Sequence, residues 1–150
     1  MSTVPPELKY IKGFTVTGLS TRTQNSNEFS KETAKIPNLW HRFYSRDLVA
    51  NENIYGVYSD YESDANGLYT VTAGVTSEHA PTDTEMGSVS IPEGNYLVFQ
   101  GKGAMPLAVI QTWGQVWEYF AAENQYQRSF SCDFEAYKGS EEVAIYIGIK

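Results

Sequence analysis

Two segments of the chain carry apolar residues at the spacing of a helix. The longer segment runs from about Pro106 to Ala122, and Pro106 suits a first helical position because its missing N–H would have no partner there. The shorter segment covers roughly residues 28–45, and Pro37 inside it predicts either a kink or a helix that starts near that residue. In the longer segment, the residues that recur at steps of three and four, and so share one face, are Val109, Trp113, Val116, Trp117 and Phe120.

Aromatic and alternating segments on either side of these helices predict strands. An extended segment precedes each helix, and each helix is followed by two further strands joined by a turn. The predicted strands start at Gly13, Tyr55, Leu68, Ser88, Cys132 and Val143, and the segment at Ser88 includes an extra short strand near residues 88–91.

The two halves of the chain repeat this order. Trp40-His41-Arg42-Phe43 is similar to Trp117-Glu118-Tyr119-Phe120, and an aromatic strand begins fifteen residues after each tryptophan. We therefore expect an α+β fold in which two pseudo-symmetric β-α-β-β repeats form a curved antiparallel sheet with two main helices and a central cleft. One domain, residues 1–150, would contain repeat one at about 10–76 and repeat two at about 85–150.

Composition excludes several classes of protein. The chain has 150 residues and a formal net charge of −7, which argues against direct nucleic-acid binding because phosphate contacts need clustered Lys and Arg. A single cysteine, Cys132, allows no disulfide framework, and we expect it to be a small buried hydrophobic residue. The sequence shows no metal or cofactor motif and predicts no catalytic residue. Without a membrane span or signal peptide, a soluble cytoplasmic protein is expected.

Glu135 stands out when the two halves are aligned, because it occupies the position of Tyr58. Alternation along its strand places Asp133, Glu135 and Tyr137 on one face, and we expect Tyr58 and Tyr146 to contribute to the same surface. A carboxylate among tyrosine rings suits a cation site, since the rings offer their negative faces. The alternative is that this face is simply solvated.

The second half of the chain resembles the GyrI-like, or AraC-type, effector-binding domain. That family has a Gly-x-Tyr-x-Val-Phe strand, a glycine, an aromatic helix, a Phe-Glu-x-Tyr strand and a final apolar strand. IPNLWHRFYS resembles the first repeat of the family, while a common His-Arg-Gly is replaced here by Gln100-Gly101-Lys102-Gly103. The matching elements are Gly94–Phe99, Gly103, Trp113–Phe120, Phe134–Tyr137 and Val143–Ile149.

The resemblance implies a receptor for a small lipophilic ligand, often cationic, with Glu135 as a buried counter-charge in an aromatic cleft. The implied role is transcriptional regulation or sequestration. With no room for a DNA-binding domain, the chain looks like a stand-alone member of a kind carried on integron cassettes, and its partner would be a separate DNA-binding regulator. The aromatic residues that the resemblance implies as ligand-binding are Trp113, Trp117, Trp40, Tyr58, Tyr146 and Phe99.

Two alternatives to a receptor stay open at this point. One of them is an enzyme, so enzymatic activity stays an open question, although binding without catalysis is favoured. Some GyrI-like proteins hydrolyse reactive cyclopropane-bearing compounds; Glu135 would then act as a general base or electrostatic support, with Tyr146 or Tyr58 as proton donor. The other alternative is a DNA gyrase inhibitor, in which the acidic surface would be the functional feature.

Overall fold

A computed structural model describes most of the chain. Pro106 lies outside the described residues, and so does the segment 77–84 between the bounds expected for the two repeats. The described residues are 6–28, 30, 32–44, 54–63, 67–76, 87–105, 107–122, 126–139 and 141–150.

The described chain contains eight strands and three helices. They are β1 (Glu7–Ile11), β2 (Phe14–Thr23), α1 (Asn25–Glu28), α2 (Ile36–Tyr44), β3 (Ile54–Ser59), β4 (Tyr69–Thr76), β5 (Gly87–Ile91), β6 (Gly94–Lys102), α3 (Leu107–Ala121), β7 (Arg128–Lys138) and β8 (Glu142–Ile149). Helix α2 begins at Ile36, so Pro37 lies in its first turn, where the missing N–H breaks no helical hydrogen bond. The helix start predicted near Pro37 is therefore right, and a kink is not needed.

All eight strands form one antiparallel, curved sheet in the order β1-β6-β8-β7-β3-β4-β2-β5. This order is symmetric about the boundary between β7 and β3, where Val57 lies opposite Phe134. The predicted α+β fold with two pseudo-symmetric repeats is confirmed. Each repeat also has a leading strand that pairs with the other half: β5 pairs with β2, and β1 pairs with β6.

Strand β1 was not predicted from the sequence. It begins at Glu7, before the start that we expected for repeat one, and it is exposed at Leu8 and Tyr10. An edge strand with a solvated face lacks the apolar pattern that identifies an inner strand.

The helices α2 and α3 cover one face of the sheet, and a second apolar cluster occupies the other face. Phe43 of α2 and Val116 of α3 are fully buried against the first face. Val57, Cys132 and Phe134 belong to the cluster on the second face, so the expected burial of Cys132 is confirmed. Among the described residues, no helix has the length and apolar character required to cross a membrane.

Candidate functional site

A cavity of about 830 Å³ lies between the two long helices, over the strands where the two halves meet. Helices α2 and α3 and strands β3 and β7 all contribute to its wall, so both repeats build it. Eight of the nineteen described residues in the wall are aromatic. The aromatic lining residues are Trp40, Tyr44, Tyr58, Tyr61, Tyr69, Trp113, Trp117 and Tyr137.

Glu135 lies in the wall of this cavity, on the strand at the centre of the sheet. Its side chain is 2% exposed, and its neighbour across the β3–β7 ladder is Gly56. A Cβ atom at residue 56 would lie 2.6 Å from Glu135 Oε1 and 3.0 Å from a ring carbon of Trp40. Because Gly56 has no side chain, strand β3 leaves room for the Glu135 carboxylate.

Three uncharged groups donate hydrogen bonds to the Glu135 carboxylate. Trp113 Nε1 donates to Oε2 at 2.6 Å, and the Tyr58 hydroxyl donates to the same oxygen at 2.8 Å. The Tyr137 hydroxyl donates to Oε1 at 2.8 Å. No basic side chain of the described residues forms an ion pair with Glu135. The carboxylate is thus held in place without a counter-charge.

Burial governs the protonation of this cluster. It raises the pKa of Glu135 above the usual 4.5, and the hydrogen bonds from Trp113, Tyr137 and Tyr58 offset only part of that rise. Burial, followed by the charge of Glu135, also raises the pKa of Tyr58 and of Tyr137, so both phenols remain donors. A positive group in the cavity would favour the ionised form of Glu135.

Asp133 is the second carboxylate on this face of β7, and it has the counter-charge that Glu135 lacks. It is fully buried, Arg128 Nη2 lies 2.6 Å from its Oδ2, and the Gly148 amide donates to its Oδ1 at 2.9 Å. Tyr61 donates a further hydrogen bond to Oδ2. Asp133 is therefore neutralised by structural partners.

Most of the aromatic residues singled out in the sequence reach the cavity. Trp40 of α2, Trp113 and Trp117 of α3 and Tyr58 of β3 all line it together with Glu135. Trp40 contacts Tyr137, with ring centroids 5.5 Å apart, and Trp113 contacts Tyr58 at 5.2 Å. The structure brings these side chains together; their contact with a ligand stays a prediction.

Tyr146 and Phe99 lie elsewhere. Tyr146 pairs with Phe134 across the β7–β8 ladder and stacks on its ring at 4.4 Å, on the face opposite Glu135. The expectation that Tyr146 shares the surface of Glu135 is wrong, and its suggested role as proton donor to that site loses its geometric basis. Phe99 lies on the same face as Glu135 but is 3% exposed and packs beneath α3 against Tyr119.

Several lining residues were missed by the sequence reasoning. Tyr61 follows the end of β3, where alternation predicts nothing, and Glu28 and Asn25 come from the short helix α1. Tyr69 begins β4 on the face of Tyr58, a placement that follows from strand alternation only when the pairing of Tyr58 with Val71 is known. Arg128 reaches Asp133 because β7 contains a register irregularity between these two residues.

Solved structures share this fold. An integron cassette protein from the mobile metagenome of Vibrio cholerae, VCH_CASS2, has a TM-score of 0.90 at 36% identity, covering 99% of this chain and 97% of that one. The structure of SAV2435 bound to tetraphenylphosphonium has a TM-score of 0.72 at 20% identity, covering 98% of this chain and 94% of that one.

Sequence comparison gives the family. YobU of Bacillus subtilis (strain 168), named as a candidate transcriptional regulator, is 31% identical over 150 residues, covering 89% of this chain and 90% of that protein. The family Cass2, described as integron-associated effector binding protein, matches residues 7–149. The chain therefore belongs to the Cass2 family of integron-associated effector-binding proteins.

Proposed function

We propose that the protein binds lipophilic cations in the cavity between α2 and α3, with Glu135 as the counter-charge. One observation carries the proposal: the Glu135 carboxylate is buried in the cavity wall, is fixed by three neutral donors, and pairs with no basic side chain of the described chain. A buried carboxylate without a counter-charge is costly, and a cationic ligand would relieve that cost. The tetraphenylphosphonium bound to SAV2435, whose fold is similar, agrees with this ligand class.

The aromatic wall would supply the rest of the binding energy. Rings of Trp40, Trp113 and Trp117 present apolar surface, and their π faces attract positive charge. Selectivity would then depend on charge and apolar area rather than on a pattern of ligand hydrogen bonds. Ligands with similar charge, shape and apolar area should therefore bind with comparable affinity even where their hydrogen-bonding groups differ.

The proposed ligand would act as an effector. We infer that its binding is communicated to a separate DNA-binding regulator, in keeping with the family description and with the name of YobU. Co-purification of tagged protein with a DNA-binding partner from its host, with and without tetraphenylphosphonium, tests this inference. Sequestration without a partner is the alternative, and it is favoured if the ligand changes nothing in the co-purified proteins.

The counter-charge is tested by Glu135→Gln, which keeps the size of the side chain and removes its charge. Affinity for tetraphenylphosphonium should fall by about 1–3 kcal/mol, or roughly fivefold to 150-fold. Affinity for neutral triphenylphosphine oxide should change by less than about threefold, because that ligand brings no charge to the site. Isothermal titration calorimetry measures both affinities.

Glu118→Gln is the matched control. Glu118 is an exposed residue of α3 outside the cavity wall, and its replacement changes the net charge of the protein by the same amount. We expect its affinity for tetraphenylphosphonium to match that of the unchanged protein. Equal losses for the cation and the neutral ligand in Glu135→Gln would contradict the electrostatic role.

A further inference from the structure

The cavity has a second carboxylate in its wall, Glu28 at the end of α1. Its oxygens accept hydrogen bonds from Thr23 Oγ1 at 2.6 Å, the Lys35 amide at 2.9 Å and the Ile36 amide at 3.1 Å. These donors fix the carboxylate beside the start of α2. Like Glu135, Glu28 forms no ion pair with a basic side chain of the described residues.

Tyr69 shows that the two carboxylates belong to one site. Its hydroxyl donates to Asn25 Oδ1 at 2.6 Å, and its ring lies 5.7 Å from that of Tyr58, which binds Glu135. Burial raises the pKa of Tyr69, and the charges of Glu28 and then Glu135 raise it further. Both carboxylates therefore act on the same phenol.

The basic side chain in the described wall, Arg128, already has a counter-charge. Arg128 lines the cavity, but its guanidinium lies 2.6 Å from Asp133 with both side chains buried. An ionised Glu28 and an ionised Glu135 thus leave the described wall with an excess of two negative charges. A ligand with one positive group can neutralise only one of them.

We propose that the cavity selects dications, compounds with two positive groups on an aromatic or apolar frame, one group at Glu135 and the other at Glu28. The inference rests on the proposed function, because it takes Glu135 as the first cation site. A volume of about 830 Å³ is that of a site for a drug-sized ligand, and both carboxylates lie in its wall. The aromatic wall between them suits the apolar frame of such a ligand.

A series of diamidines tests the proposal. Bis(4-amidinophenoxy)alkanes with propane, butane, pentane and hexane linkers are compared with analogues in which one amidine is replaced by a neutral carboxamide. For the linker that matches the separation of the carboxylates, the dication should bind about tenfold more tightly than its monocationic analogue. Glu28→Gln should abolish this gain, so that the dication and its monocationic analogue bind the variant with affinities within about twofold of each other.

Thr23→Val is the matched control, because it removes one hydrogen bond to Glu28 and keeps the charge of the carboxylate. The dication should keep its gain in this variant, and the melting temperature of each variant is measured in parallel. The proposal is overturned if no linker gives a gain, if the gain survives Glu28→Gln, or if Thr23→Val loses it to the same extent. If the monocation does not bind, or if Glu135→Gln leaves its affinity unchanged, the proposed function is overturned as well. If the affinity of the monocation depends on Glu135 but no dication binds more tightly, only this inference is overturned.

Discussion

Two buried carboxylates of strand β7 differ in the groups that surround them, and this difference separates a structural residue from a candidate binding residue. Glu135 and Asp133 lie on the same face of β7 and are both buried. Asp133 is paired with Arg128, whereas Glu135 receives only neutral donors. Removing the partner of a paired buried charge destabilises the fold, while a buried charge without a counter-charge is a candidate binding group. The difference lies in the partners and not in the residue type.

The raised pKa of Glu135 predicts how stability depends on pH. Because the folded pKa lies above the unfolded value of about 4.5, the unfolded state releases this proton first as the pH rises. The contribution of Glu135 to the free energy of unfolding is therefore complete below about pH 4.5 and is lost as the pH rises through the folded pKa.

Comparison with Glu135→Gln isolates this effect, since glutamine does not titrate. The free energy of unfolding of the unchanged protein, relative to that of Glu135→Gln, should decrease as the pH is raised above 4.5 and then level off. Urea unfolding of both proteins across a pH series measures the difference. A difference that increases with pH would show that the folded pKa is lowered instead.

At the scale of elements, periodicity was sufficient for the two longer helices, α2 and α3, and for the inner strands. The spacing of Trp113 and Val116 gave α3 to within a residue or two at each end, and Pro37 marked the start of α2. The wrong placement of Tyr146 shows what the periodicity of a sequence cannot predict. Alternation fixes which residues of one strand share a face, but the face of a neighbouring strand depends on the register between them, and only the structure supplies that register.

The irregular part of β7 gives a prediction about stability. Arg128 and Asp133 are separated by a register irregularity, and their side chains are 8% and 0% exposed. Asp133→Asn removes the negative charge and leaves a buried guanidinium without a counter-charge. We expect the free energy of unfolding to fall by about 3–5 kcal/mol. Urea denaturation near neutral pH measures the change.

The exposed ion pair of β1 provides the control. Lys9 Nζ lies 3.6 Å from Glu7 Oε2, and these side chains are 40% and 65% exposed. Glu7→Gln should therefore change the free energy of unfolding by less than about 0.5 kcal/mol. Similar losses in Glu7→Gln and Asp133→Asn would contradict the structural role assigned to the buried pair.

At the scale of the molecule, the site lies where the symmetry of the two repeats is broken. Tyr58 and Glu135, which are 77 positions apart, occupy equivalent places in the two halves, yet one donates a hydrogen bond to the other. The repeat in the sequence made this comparison possible and so identified Glu135. It could not identify Arg128 or Glu28, because irregular strand geometry and the short α1 have no counterpart in a periodic pattern.

The continuous sheet predicts that the two halves unfold together. Strands β3 and β7 join them through six paired positions, and the leading strand of each half pairs with the other half. The slowest amides of β4, such as Val71, and of β8, such as Ile145, should therefore exchange with one free energy, equal to that of global unfolding. Native-state hydrogen exchange followed by NMR measures both values.

The amide of Leu8 in the edge strand β1 is the internal control, since local fraying should let it exchange at a lower free energy. A difference of more than about 1 kcal/mol between Val71 and Ile145 would mean that the halves unfold separately, in which case a ligand held between them would also be released before global unfolding.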